Sequence, residues 1–218
     1  ATVCILWHMG PTAARKDGGV GGDDYQLRSE LVGPLPVINH FLARIGLAGS
    51  LERFVPHDDA RLRLAPGTVL GVVVRNLVTG REPVYAMGEW AAAYEPALLG
   101  LASGDVGALN DDRVGRTLER LFDADRASLL TEVVLRAVRE FEIDCSQLHN
   151  DSTSVSFTGL AYPGGGARRG GKTVPAVTFG HNKDHRPYLR QLVWVLTVSA
   201  DGRCLSPTGS SRATPTTT

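Results

Sequence analysis

The chain has 218 residues, enough to bury a sizeable core in one or two domains. Its 23 basic and 23 acidic side chains cancel, so no global field draws in nucleic acid, although local basic patches remain open. Three scattered cysteines (Cys4, Cys145, Cys204) exclude a disulfide-stapled scaffold, and no apolar run is long enough to span a bilayer, so a reducing, cytoplasmic compartment and no membrane partner are expected.

Residues 1–30 carry little pattern. Ala1 to Met9 is mildly apolar but has no basic start, which argues against a signal peptide. Gly18-Gly19-Val20-Gly21-Gly22-Asp23-Asp24 is linker-like, and the whole stretch is predicted to be a disordered tail. From Leu31 the period becomes helical. Val37, Ile38, Phe41, Leu42 and Ile45 predict the core face of a helix stopped by Gly46, and Leu51–Phe54 a short helical turn ended by Pro56. His57-Asp58-Asp59 precedes Arg61 and Arg63 and reads as a solvated loop, not a metal cluster. Pro66 opens a helix with Val69, Leu70, Val72, Val73, Val74, Leu77 and Val78, closed by Gly80. Apolar almost all round, it is expected to lie between other helices. Pro83–Tyr94 reads as another helix anchored by Trp90. Asn110 or Asp111 caps a helix bearing Val114, Leu118, Leu121 and Phe122. After a break at Asp123–Arg126, a further helix carries Leu129, Leu130, Val133, Val134, Ala137, Val138 and Phe141.

The period then changes. Ile143–Phe157 reads as strand, Thr158–Lys172 as a Gly/Pro/Arg-rich connection, Thr173–Gly180 as a short β-like run, and Gln191–Ser199 as a strand apolar enough to be buried on both faces. Asp201-Gly202 is a turn signal, and the Ser/Thr/Pro-rich stretch 203–218 is predicted to be disordered. The fold class is therefore α+β, with a helical domain at 31–142 followed by strands at 143–202.

Two motifs compete for a function. Gly166-Ala167-Arg168-Arg169-Gly170-Gly171-Lys172-Thr173 fits the phosphate-loop pattern, which would imply nucleotide binding. That loop needs a buried strand before it and a helix after it, and the β-branched Val174–Phe179 run supplies no helix. A Gly/Arg-rich surface loop is the preferred reading, in which Arg168, Arg169 and Lys172 are available to phosphate backbone. Cys145 with His149, and His181 with His185, offer soft ligands, but the spacing departs from zinc patterns.

Leu148-His149-Asn150-Asp151-Ser152-Thr153-Ser154, then Gly180-His181-Asn182-Lys183-Asp184-His185-Arg186-Pro187, then a strand from Gln191, resembles the transposases of bacterial insertion sequences. These are of the DDE class, with a ribonuclease-H-like catalytic domain. The resemblance covers roughly residues 30–202 and extends to Gly33-Pro34-Leu35-Pro36 and Asn110-Asp111-Asp112-Arg113-Val114-Gly115. It implies that Asp151 is the first of three catalytic carboxylates and a ligand of Mg²⁺ or Mn²⁺, in a two-metal phosphodiester cleavage and strand transfer. It further implies DNA as partner, with homo-oligomers, and contacts to the DNA phosphates from Lys183, His185 and Arg186. The second Asp and the Glu of that pattern have no counterpart here: Asp201 sits in a turn, and the tail carries no acid. Read one frame over, with free choice of third bases, the codons from Gly202 onward can encode an apolar strand ending in Gly-Asn-Thr. The expectation is a frameshifted, truncated and catalytically inactive transposase. The alternatives are a non-catalytic DNA-binding or dimerisation module and, behind it, a nucleotide-binding protein.

Overall fold

The computed structural model describes residues 3–7, 27–57, 62–159, 168–180, 186–200 and 205–211. The chain divides into two compact units, Ala1–Arg120 and Leu121–Thr218. Its secondary structure is mixed: the described residues form an N-terminal strand pair, six α-helices and then a small antiparallel sheet, so the fold class is α+β.

In the first unit, β1 (Val3–Trp7) pairs antiparallel with β2 (Leu27–Leu31), Val3 standing opposite Leu31. The prediction of a disordered 1–30 tail is corrected for these residues; Gly18–Asp24 lies outside the described ones. Strand pairing consumes backbone donors and acceptors and needs no strong side-chain pattern, which is why composition misses it. The end of β2 is tied into the helical region, because the Leu31 amide donates to the Ala93 carbonyl at 2.9 Å and its carbonyl accepts from the Glu95 amide at 3.1 Å.

α1 (Leu35–Arg44) opens on Pro34 and Pro36, and α2 (Leu47–Phe54) begins straight after Gly46. Gly46 sits at φ 64°, a left-handed conformation that glycine adopts without a Cβ penalty, so one residue both stops α1 and turns the chain into α2. The predicted face of α1 is off by about one position. Leu35 is fully buried, whereas Val37 and Phe41 are exposed. α3 (Pro66–Thr79) has Pro66 in its first turn, and the Gly80 amide donates to the Asn76 carbonyl at 2.9 Å to close it. Val69, Leu70, Val72 and Asn76 are buried, but Leu77 and Val78 at its far end are exposed, so the helix is enclosed over only part of its length. A 3₁₀ turn at Val84–Ala86 leads into α4 (Met87–Ala92), whose Trp90 ring lies 5.1 Å from that of Tyr94. Further 3₁₀ turns at Pro96–Leu99 and Val106–Ala108 lead to α5 (Asp111–Asp123), where Asn110 Oδ1 accepts from the Arg113 amide at 2.9 Å as the sequence predicts. One core holds the unit together: Leu35, Val69, Val72, Met87, Leu99 and Val114 are among its most deeply buried members.

In the second unit, Asp125 caps α6 (Arg126–Glu140) by accepting from the Ser128 amide at 3.1 Å. The Ser128 side chain and amide hold the Asp125 carboxyl below its ordinary pKa. The strand expected from Ile143 starts only at Leu148. Glu142 turns the chain at φ 49°, and Asp144 Oδ1 accepts from the Ser146 amide at 2.8 Å, a local side-chain turn that postpones pairing.

The sheet of this unit is centred on one strand. β3 (Leu148–Phe157) is followed by β4 (Arg168–Arg169), β5 (Lys172–Thr173), β6 (Thr178–Phe179), β7 (Arg190–Ser199) and β8 (Leu205–Ser211). β7 is central. It runs antiparallel to β3 over ten residue pairs from Leu148↔Ser199 to Phe157↔Arg190. Along its other edge it pairs first with β6 and then with β8. β8 corrects the prediction of a disordered 203–218 tail for residues 205–211. A paired edge can be completed by any chain whose backbone donors and acceptors are free, and the register shift between Val195 and Leu196, beside Pro207, accommodates a residue that has no N–H.

Candidate functional site

Alternation along β3 and β7 sorts the sheet into two faces. One carries His149, Asp151, Thr153, Val155 and Phe157 from β3, with Arg190, Leu192, Trp194, Leu196 and Val198 opposite them on β7. Asp151 is exposed on that face, near the middle of β3 and opposite Leu196, and Leu196 in turn stands opposite Pro207 of β8. The row across the sheet through Asp151 therefore holds one carboxylate and two apolar residues. Among the described residues no group of three or more His, Cys, Asp or Glu side chains is placed to hold a metal ion. Cys145 is a free, exposed thiol. A pair of divalent cations needs several oxygen ligands at bonding distance, and Asp151 with Leu196 and Pro207 beside it does not fit that requirement.

The polar face of the sheet is the more enclosed one. Gln191, Thr197 and Ser199 are buried there, and Thr197 Oγ1 donates to Asn150 Oδ1 at 2.6 Å across the β3–β7 pair. The apolar face is the more open: Val155, Phe179 and Trp194 are all exposed on it, so the expected burial of β7 on both faces is not reached.

The phosphate-loop-like segment is a β-hairpin where it is described. Arg168 pairs with Thr173 and Arg169 with Lys172, around Gly170 at φ 54° and Gly171 at φ 79°. Two successive left-handed residues are the signature of a type I′ two-residue turn, which explains the Gly-Gly pair without any phosphate. Lys172 is committed elsewhere. Its ammonium donates to the carbonyls of Phe122 at 3.1 Å, Asp123 at 2.6 Å and Ala124, at the end of α5 where helix carbonyls lack partners. Arg169 Nε donates to Asp123 Oδ1 at 3.3 Å. Arg168 is exposed, and so is Arg186, whose carbonyl accepts from the Leu189 amide. Lys183, His185, His181 and Asp201 lie outside the described residues.

This geometry yields an expected result. Lys172→Met should destabilise the second unit by about 1.5 kcal/mol or more, because it strips a charged donor from carbonyls at a helix end. The readout is the urea midpoint of the full chain, with ATP titrated in parallel. A phosphate-binding lysine would give the opposite pattern, an unchanged midpoint and lost nucleotide affinity.

One cationic feature escaped the sequence reading. Arg113, Arg116 and Arg120 recur along α5 at intervals of three and four residues, which places them along one side of the helix. Arg113 Nε donates to the Ala108 carbonyl at 2.7 Å, Arg120 Nη1 to the Pro56 carbonyl at 3.4 Å, and Arg116 Nη2 meets Asp112 Oδ2 at 2.6 Å. The last pair is largely exposed, so it is weak and exchangeable for another anion. The helical spacing of these arginines was the signal available in the sequence.

No curated protein and no solved structure matches the chain. Residues 27–135, half of its length, match the family model described as Domain of unknown function (DUF4277), a span that runs from β2 into α6. The chain belongs to the family of that description.

Proposed function

We propose that the chain is related to the DDE-class transposases of insertion sequences, and that it acts on DNA by binding it and not by cutting it. The observation that carries the relationship is β3, a strand with the sequence Asp151-Ser152-Thr153, exposed at its Asp and paired antiparallel with β7 over ten residues. That is the opening arrangement which the resemblance to a ribonuclease-H-like domain implies. In the intact family Mg²⁺ or Mn²⁺ would supply the cleavage chemistry. Asp151 alone does not fit such a centre, so no cleavage step is assigned to this chain.

Arg113, Arg116 and Arg120 favour the binding reading. Guanidinium groups in a line match the spaced charges of a phosphodiester backbone and position a protein without reading sequence.

Two assays test this. A labelled duplex titrated with the full chain should bind with an affinity that falls as salt rises, and Arg116→Ala with Arg120→Ala should lower the salt slope by about two while weakening all sequences alike. Supercoiled plasmid with Mg²⁺ or Mn²⁺ should stay intact for both wild type and Asp151→Asn. Nicking by wild type that Asp151→Asn abolishes would overturn the non-cleaving reading; absence of any salt-sensitive duplex binding would overturn the binding reading.

A further inference from the structure

The first unit contains a cavity of about 460 Å³ between α1, α2 and α3. This volume is within the range of small-molecule sites. Leu42, Leu51 and Leu99 contribute apolar walls, and Arg75 contributes a guanidinium. Arg75 is held in place. Its Nε donates to Asn39 Oδ1 at 2.7 Å, and Asn39 Nδ2 in turn donates to the Leu98 carbonyl at 2.8 Å. That anchoring uses the Nε side of the group and leaves both Nη atoms. Among the described residues no carboxylate pairs with Arg75, and burial lowers its pKa from the ordinary value, the mark of a cation that has lost water without gaining a counter-ion.

Gly71 explains how the arginine fits. A Cβ at this position would lie 2.9 Å from Arg75 Nη1, so the guanidinium as placed lies against the bare backbone of residue 71 and would have to shift to admit a side chain there. Glycine inside a helix weakens it; here it makes room for a charge. The first turns of α2 and α3 line the same cavity at Leu47–Gly49 and Gly67–Thr68, and neither helix has a side-chain cap or a first-turn acid. First-turn amides of this kind add positive potential.

We propose that this cavity binds a small organic anion, an apolar body ending in a carboxylate or a phosphate, with Arg75 taking the charge. The proposal is independent of the DNA reading above, since the α5 arginines do not line this cavity. Glu52 is the one acid among the lining residues and is exposed, so it opposes the ligand charge.

The test is calorimetric titration of the full chain with hexanoate, hexyl phosphate and hexanol. At least one of the two anions should bind saturably in the millimolar range, and the comparison between them assigns carboxylate or phosphate. Hexanol should not bind. Arg75→Met should weaken the anion about tenfold or more, the loss expected of a charge-assisted hydrogen bond. Gly71→Ala should melt as cooperatively as wild type yet weaken the anion in the same direction, by displacing the guanidinium, which keeps the test valid if Arg75→Met misfolds. Glu52→Gln should tighten it. Failure of both anions to bind, equal binding of hexanol, or unchanged affinity in Gly71→Ala and Arg75→Met would each overturn the proposal.

Discussion

Leu35→Ala is expected to remove about 3–5 kcal/mol from the stability of the helical unit, a large share of what a domain of this size has. Leu35 is fully buried at the start of α1 and belongs to the cluster built around Val69, Val72, Leu99 and Val114. Truncation removes the burial of several carbon atoms and leaves a void. The backbone there can hardly close it, because Pro34 and Pro36 flank the residue and the preceding segment is bonded through Leu31 to Ala93 and Glu95. Val37→Ala, two residues on, should change stability by no more than about 0.5 kcal/mol, since Val37 is 62% exposed. Urea titration of both variants reads the difference as a shift in midpoint. Equal midpoints for the two would mean that α1 turns a different face to the core.

That pair marks where the sequence ceased to be legible. The helices were readable because their punctuation is chemical: Pro66 and Gly80 bound α3, Gly46 separates α1 from α2, and Asn110 caps α5, each through a local effect that operates before any tertiary contact forms. β3 and β7 were each readable as strands from period and length, though not their pairing. The inward face of α1 was not, because Val37, Ile38, Phe41, Leu42 and Ile45 form an apolar stripe wider than the surface that meets the core. β1 and β8 were missed for the complementary reason: their pairing rests on backbone groups in segments whose composition suggests disorder. At the candidate site, the position of Asp151 on a strand was legible from the alternation that follows it. The occupation of Lys172 was not, since it depends on carbonyls about fifty residues earlier in the chain. The Gly71–Arg75 relation was equally hidden, because a helical glycine gives no sign in one dimension of what it makes room for.

The full chain is expected to self-associate through the sheet of its second unit, on the face that carries Asp151. Val155 is 42% exposed, Trp194 38% and Phe179 54%, and alternation places all three on that face. The partly buried Phe157 and Leu196 share that face, so several apolar groups gather on one side of the sheet. Geometry adds a second route. β3 stands at the end of the strand order, paired with β7 alone among the described strands, and it is ten residues long, more than most edge strands that resist pairing with another copy. A second copy laid on this face would bury the same aromatic groups from both sides, the self-complementary contact of a two-fold dimer; β3 laid on the opposite, β6–β8 edge of the next copy would instead propagate. Light scattering on the full chain, on the fragment 27–142 and on a Val155→Thr, Trp194→Thr, Phe179→Thr triple variant separates these cases. The full chain should scatter as dimers or larger species at micromolar concentration, the fragment should be monomeric, and the triple variant should shift strongly toward monomer because three apolar contacts are lost at once while β-propensity is kept. A triple variant that still forms large species would place the association on the β3 edge, where Ser154→Pro, in the edge strand, should then abolish it. A monodisperse, monomeric full chain would overturn association through this face, whatever the exposure of Trp194.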